Sequence, residues 1–271
     1  WNLKTDFSYL RNIRHNIRYG FQGVKHSFTP SNVSGEIGGV TFSSDAVTQQ
    51  KGLETGVYFE DEIEISDKFK INAGIRWSSF KQVGPFNRYI KNDLGITTDT
   101  IRYLNGDSIA SYNGFEPRFS MRYRLNKNSS LKASFAQNYQ YVHLATLSTT
   151  SLPTDTWIPS SDIVKPQFAT QYAAGYFHNF KENQIETSIE FYYKKMHNMI
   201  EYEEGYAPGT EIDDNTDNHL TFGTGESYGA ELLIKKNRGR LTGWLGYTLS
   251  KTTRTFNEIN EGKTFPATYD R

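Results

Sequence analysis

The stretch "GESYGAELLIKKNRGRLTGWLGYTLSK", Gly225 to Lys251, decides the fold. Tyr228, Ala230, Leu232 and Ile234 alternate with polar residues on its first arm, and Leu241, Gly243, Leu245, Tyr247 and Leu249 repeat every second position on its second. A period of two is the strand signature, and a cationic turn between two such arms makes a β-hairpin. One face of that hairpin is apolar. The other carries Glu231, Thr242 and Thr248, with Leu233 and Trp244 as exceptions. What the apolar face meets, a protein core or lipid, is the question the rest of the chain must answer.

Four more stretches repeat the pattern. Leu3, Thr5, Phe7 and Tyr9 rise toward a turn from which Ile17, Tyr19 and Phe21 descend. "DEIEISDKFKINAGIRW" turns at Ser66, Asp67 and Lys68, and "PRFSMRYRLNKNSSLKASFAQNYQY" turns at Asn126 to Ser130. "QYAAGYFHNFKENQIETSIEFYY" turns at Lys181 to Gln184. Registers follow from the turns. Ile65 opposite Phe69 brings Ile63 to Ile71, Phe59 to Ile75 and Val57 to Trp77, and pairs Glu64 with Lys70 on the other face. Phe180 opposite Ile185 brings Tyr176 to Ile189 and Ala174 to Phe191; Leu125 opposite Leu131 brings Tyr123 to Ala133 and Met121 to Phe135. A slip of one residue would scramble every face, so turn and pattern specify each other. Asp61 alone breaks the apolar face of its strand.

Connections alternate in length. The hairpin turns are short, whereas Thr29 to Gln49, Gly84 to Asn113, Leu144 to Val164, Glu204 to Phe222 and Thr255 to Pro266 are long. Short turns at one rim and long loops at the other, with strands of about nine to eleven residues or more, form the pattern of an antiparallel outer-membrane barrel. Aromatics gather near both strand ends: Tyr9, Phe69 and Phe180 by the turns, and Trp77, Tyr139, Tyr141, Tyr193, Tyr228 and Tyr247 toward the loops. The apolar face therefore meets lipid, and Glu60, Glu62, Arg76, Arg122 and Glu231 face a wet interior. In a soluble sandwich the same charges would form solvated outer faces.

Composition agrees. Aromatics make up 15% of the chain against a hydrophobic fraction of 36%, which suits a narrow aromatic belt around a large polar interior. Thirty basic and thirty acidic residues give no net charge and no electrostatic pull toward nucleic acid. There is no cysteine, so disulfides and thiolate chemistry are excluded, and no apolar run reaches the length of a membrane helix. The start "WNLKTDF", without Met and already alternating, reads as an excised or processed piece.

Together "VYFEDEIEISDKFKINAGIRWSSF", "FEPRFSMRYRLNKNSSLKASFAQNYQYVH", "GTGESYGAELLIKKNRGRLTGWLGYTLSKT" and the closing "FPATYDR" resemble, in this order, successive barrel segments of TonB-dependent outer-membrane receptors of the Bacteroidetes type. The resemblance implies all-β architecture: about half of a 22-stranded, up-and-down barrel, with residues 1–271 a partial barrel domain lacking the plug and the closing strands. It implies an outer membrane of a Gram-negative bacterium, and active import of a scarce nutrient such as a siderophore, cobalamin or a glycan with energy from TonB. The expected partners are outer-membrane lipid, the receptor's own plug domain, TonB, a small-molecule or oligosaccharide ligand and a surface lipoprotein lid, with no nucleic acid. Two other classes stand beside it: a soluble or surface β-sandwich binding carbohydrate, and a passive porin-like barrel.

No catalytic set is visible. The six histidines show no metal-ligand spacing, "GTGESYG" has its third glycine misplaced for a dinucleotide loop and lacks the βαβ setting, and the alternating glutamates need no catalytic explanation. No cofactor is implied except calcium, for which Asp213, Asp214 and Asp217 in "EGYAPGTEIDDNTDN" offer hard oxygen ligands without EF-hand spacing; a solvated acidic loop is the competing reading. Capture of a ligand would fall to loop residues, namely Tyr103, Trp157, Tyr206, Phe222 and His143, because aromatic faces stack on sugars and planar groups.

Overall fold

The computed structural model describes residues 1–29, 35–37, 40–42, 49–92, 94–146, 156–206 and 214–267. In chain order the strands are β1 (Asn2–Asn12), β2 (His15–Phe28), β3 (Gly35–Ile37), β4 (Val40–Phe42), β5 (Gln50–Ser66), β6 (Phe69–Val83), β7 (Phe86–Lys91), β8 (Thr97–Tyr103) and β9 (Ser108–Arg124). They continue with β10 (Ser129–Gln140), β11 (Val142–Ala145), β12 (Thr156–Pro159), β13 (Gln167–Phe180), β14 (Ile185–Tyr202), β15 (Leu220–Lys236), β16 (Gly243–Phe256) and β17 (Phe265–Pro266). One 11-stranded sheet runs β1-β2-β5-β6-β9-β10-β13-β14-β15-β16-β17, each strand antiparallel to its sequence neighbour in the sheet. The remaining strands form two-stranded hairpins inside the long connections: β3–β4, β7–β8 and β11–β12. β17 is the start of an eleventh sheet strand, from the stretch "FPATYDR".

The registers sort the side chains. On β15 and β16 Leu232 opposes Tyr247, Ile234 opposes Leu245, and Ala230 opposes Leu249, while Glu231 opposes Thr248 on the other face. Phe180 meets Ile185, Tyr176 meets Ile189 and Ala174 meets Phe191 as expected. Val57 meets Trp77, Phe59 meets Ile75, and Glu64 faces Lys70.

Two expected pairs are corrected. A bulge between Glu64 and Ser66 expels Ile65 from the ladder, so Phe69 opposes Ser66, whose hydroxyl accepts the N–H groups of Lys68 and Phe69. Between β9 and β10 the register lies two residues from the expected one: Leu131 opposes Tyr123, Ala133 opposes Met121 and Phe135 opposes Phe119. A shift of two preserves which face each residue occupies, so the alternation could not detect it. Asp61 also gains an explanation. It stays on the apolar face near the short-turn rim, where its Oδ2 lies 2.7 Å from Nδ1 of His15 on the adjacent strand.

The polar face is threaded with ion pairs. Arg18 bridges Glu60 at 3.2 Å and Glu62 at 3.6 Å; Arg76 reaches Glu54 at 3.6 Å and Glu116 at 3.9 Å. Gly56 makes room for that arginine, because a Cβ there would stand 2.8 Å from its guanidinium. Arg122 is different. Lys70 and Lys132 oppose it on either side, and Glu231 likewise faces Glu190. Like charges directly opposed destabilise a sheet, so these positions are not there for the sheet's own benefit.

Among the described residues none covers the apolar face. Phe59, Ile75, Phe119, Tyr172, Phe191, Leu232, Leu245 and Tyr247 all lie exposed along it. Among the described residues the buried hydrophobics sit instead toward the long-loop end, where Ala145, Ile158, Val164, Ile200, Tyr202 and Leu220 form a small core. The sheet strands β5, β6, β9, β14 and β15 run to 15–18 residues, longer than the roughly nine to eleven that cross a membrane, and their upper ends carry this core beyond it.

A charge on the exposed apolar face should therefore cost far more than one on the polar face. Leu249→Arg, nearer the middle of its strand, is expected to destabilise the membrane-inserted barrel by about 2–4 kcal/mol, whereas Thr248→Arg on the polar face should stay within about 1 kcal/mol. Equilibrium unfolding of the whole protein from lipid vesicles measures both.

Candidate functional site

Three long connections meet above the sheet: the β7–β8 hairpin, the β11–β12 hairpin with the turn after it, and the segment that leads into β15. Backbone pairing cannot join them, because each belongs to a different part of the chain. Arg88 on β7 does so with its side chain. Its Nη1 donates to Asp217 Oδ1 at 2.8 Å, and its Nε and Nη2 fork onto the carboxylate of Asp162. Ser161 donates its hydroxyl to the other oxygen of Asp217 at 2.8 Å, and Tyr112 Oη donates to the Ser161 carbonyl at 2.6 Å. A planar guanidinium with several fixed donors suits such a junction, which a lysine would meet with a single point charge.

A second staple lies one turn of strand away. Lys91 pairs with Asp214, and His219 Nε2 lies 2.5 Å from the same carboxylate. Asn215 accepts the Tyr89 N–H at 2.8 Å and donates to the Asn87 carbonyl at 2.9 Å, while Asn218 donates to the Tyr89 carbonyl at 3.1 Å. The edge of β7 is thus capped by side chains from residues well over a hundred positions later in the chain. A short 3-10 turn, Thr216–His219, holds Asp217 and His219 in place.

Electrostatics fit the geometry. Burial weakens the charge on Arg88, but the hydrogen bond and attraction of Asp217, then of Asp162, more than offset this and raise its pKa. Burial likewise works against the Asp214 carboxylate, yet donation from Lys91, His219 and Asn218 holds its pKa below the ordinary value. His143 lacks such help: burial alone lowers it to about 4. Its Nε2 is 3.0 Å from Ser160 Oγ, and its Nδ1 is buried with no hydrogen-bond partner among the described residues.

The expected ligand residues divide by placement. Trp157 on β12 is exposed among the long connections, whereas the exposed ring of Phe222 lies on the same face of β15 as Tyr228 and Leu232 and so points outward. Tyr103 closes the base of the β7–β8 hairpin opposite Phe86 and is half-buried. Tyr206 stacks on His219 at 4.3 Å and packs against the loop core, so its ring is engaged within the protein. His143 is only 1% exposed. Of the calcium candidates, Asp214 and Asp217 have their oxygens directed at Lys91, His219, Arg88 and Ser161, and Asp213 lies outside the described residues. No group of three metal-competent side chains stands together among the described residues. Arg88, Asp162, Lys91 and the serine pair were not legible as a site in the sequence. A second unanticipated feature is a stacked series under the loops: Phe80 on Tyr141 at 5.4 Å, Tyr141 beside Tyr139 at 6.2 Å, and Tyr139 on Phe168 at 5.1 Å.

Removing one partner of a buried ion pair strands the others, so Arg88→Ala should lower the opening free energy of residues 158–164 and 214–219 by about 3–5 kcal/mol, with Arg88→Lys recovering only part. Hydrogen exchange of the intact receptor reads this directly. His143 sets a pH dependence. In the unfolded loop it takes up a proton near 6.5 and in the folded loop only near 4, so between these values the unfolded form binds more protons and packing weakens as pH falls. Asp214 continues the trend below the ordinary carboxylate range, because its contribution is lost as pH drops through its lowered folded value. His143→Gln should flatten the decline between pH 6.5 and 4 in loop-opening free energies corrected for intrinsic exchange.

The comparisons with known proteins come to bear on this architecture. The family model described as TonB dependent receptor-like, beta-barrel, matches residues 1–270. Among solved structures, the chain is similar to the FrpB iron transporter from Neisseria meningitidis (F5-1 variant), at 13% identity and a TM-score of 0.64, over 97% of this chain and 37% of that one. It is similar to the ferric-catecholate import receptor Fiu from K12 E. coli at 17% identity and TM-score 0.53, over 93% and 37%. It is similar as well to the ferric yersiniabactin uptake receptor FyuA from Yersinia pestis at 13% identity and TM-score 0.54, over 99% and 35%. No curated protein sequence matches the chain. It spans a little over a third of the length of these receptors, and identities this low speak to the fold. With the family model spanning nearly every residue, the chain belongs to the TonB-dependent receptor β-barrel family.

Proposed function

We propose that this chain forms part of an outer-membrane active transporter of a Gram-negative bacterium, which captures a scarce nutrient at its long-loop mouth and imports it with energy from TonB. The observation that carries this reading is the mouth itself. Its loops are fastened to one another by Arg88 and Lys91 into a preformed rim, with Trp157 exposed on it. A preformed rim lowers the ordering cost of binding, and exposed aromatic faces suit a planar or ring-bearing ligand. Siderophores, cobalamin and glycans all have such surfaces, and the ferric-catecholate and ferric-yersiniabactin cargoes named for two of the similar structures lie nearest the first class.

The polar face supports a plug docked inside the barrel. Arg122 between two lysines and Glu231 opposite Glu190 are charges for which the sheet supplies repulsion rather than partners. An inserted domain of complementary charge would relieve both. Glu60, Glu62 and Arg76, already paired with Arg18, Glu54 and Glu116, would then present a neutralised surface to the same domain. A surface lipoprotein lid over the mouth, a Bacteroidetes-type origin and calcium in the acidic loop are compatible additions that no contact among the described residues argues for.

Uptake of labelled ferric siderophores, cobalamin and oligosaccharides by cells expressing the whole receptor tests the reading. One class should accumulate in a TonB-dependent way, and Trp157→Ala should weaken its binding by about tenfold, the equivalent of roughly 1.4 kcal/mol. Accumulation that persists without TonB would point to a passive porin-like barrel instead.

A further inference from the structure

On the lipid-facing side of the sheet, near its short-turn end, the packing leaves a groove of about 400 Å³. Its floor is made by the small side chains of Ala133 on β10 and Ala174 on β13, which oppose each other directly. Met121 and Tyr123 on β9 form one wall, and Ile189 and Phe191 on β14 form the other. Register explains the shape. Along β10 and β13 the flanking pairs are large, Leu131 with Tyr176 and Phe135 with Tyr172, whereas between them two alanines fall side by side.

One end of the groove is polar. Leu131 and Tyr176 close it, and immediately beyond them toward the turns Ser129 opposes His178. Ser129 Oγ lies 2.7 Å from His178 Nδ1, and Tyr176 Oη lies 3.2 Å from Ser129 Oγ and 3.3 Å from His178 Nδ1. The edge of Phe180 holds the imidazole in place at a ring separation of 4.1 Å. Histidine and serine are unusual on a surface that otherwise presents aromatic and aliphatic groups to lipid. The two turns that flank this corner carry Lys127 and Lys181.

We infer that this groove binds one glycerophospholipid of the periplasmic leaflet, an acyl chain lying over Ala133 and Ala174 and the phosphate diester hydrogen-bonded at Tyr176 and His178, which the buried Ser129 holds from beneath. An apolar channel that ends in clustered hydroxyl and imidazole groups matches an amphiphile end to end, its chain on the alanines and its headgroup at the polar corner. The position also selects the leaflet. In outer-membrane barrels the short turns face the periplasm, so the polar corner lies at the depth of the inner headgroups. The inference rests on the lipid-facing assignment of this surface and is independent of the transported ligand.

The test uses the full receptor in nanodiscs of phosphatidylethanolamine and phosphatidylglycerol, transferred to mild detergent and examined by native mass spectrometry for retained phospholipid. The wild type should keep one phospholipid. Ala174→Phe, which fills the floor, and His178→Ala, which removes the polar end, should each lower its retention by about fivefold or more, the effect of losing one such contact. Ala73→Phe, an outward alanine opposite Phe119 on another part of the sheet, should leave retention unchanged. Should Ala174→Phe fail to fold, Ala133→Leu replaces it with the same expectation. Equal retention in all variants, or equal loss in the Ala73→Phe control, would overturn the inference.

Discussion

The structure depends on one fact: among the described residues, none packs against the apolar face of the main sheet. Ordinary domains bury such a face against a second layer, yet Phe59, Ile75, Tyr172, Phe191, Leu232 and Tyr247 lie open. In water this surface would far exceed the few hundred Å² that soluble proteins tolerate as a contiguous apolar patch. In a bilayer it is the correct solvent-facing side. Strands then suit the setting because each backbone donor and acceptor is satisfied by a neighbouring strand, which hydrocarbon demands.

Once lipid solvates that face, the rest of the molecule sorts itself. Charges go to the other side, where Arg18, Arg76 and their glutamates neutralise one another. The strands outlast the membrane, and only beyond it does a conventional core appear, around Ile158, Val164, Ile200 and Tyr202. That core is small for the span it must hold, so the Arg88 and Lys91 junctions supply what packing alone does not. They bind together connections whose sequence separation makes ordering costly. The mouth is in effect a separate structural unit mounted on a barrel wall, and its stability responds to pH through His143 and Asp214 while the wall responds to lipid.

How much of this was legible in the sequence follows from the range of each interaction. Alternation is local and repeats, so the faces of β15 and β16 and the pairing of Phe180 with Ile185 could be read directly. A register shift of two leaves every face unchanged, which is why the pairing of Leu131 with Tyr123 was misplaced while its face was right. The bulge at Ile65 and the partner of Asp61 were hidden for related reasons: each depends on the neighbouring strand rather than on the run itself. The hairpins β7–β8 and β11–β12 lay inside segments read as loops, their alternation too short to stand out. The mouth was least legible. Nothing periodic links Arg88 to Asp217, and Trp157 and His143 look alike as loop residues although one is open and the other sealed.

The most direct measurement is site-directed spin labelling along β15 and β16 of the whole receptor in a bilayer, comparing collision with oxygen and with a water-soluble nickel chelate. A lipid-facing surface requires oxygen maxima at Ala230, Leu232, Ile234, Leu245, Tyr247 and Leu249, alternating with nickel maxima at Glu231, Leu233, Gly246 and Thr248. Loss of the period of two, or its inversion, would contradict the placement of this face in lipid and with it the barrel orientation on which the fold depends.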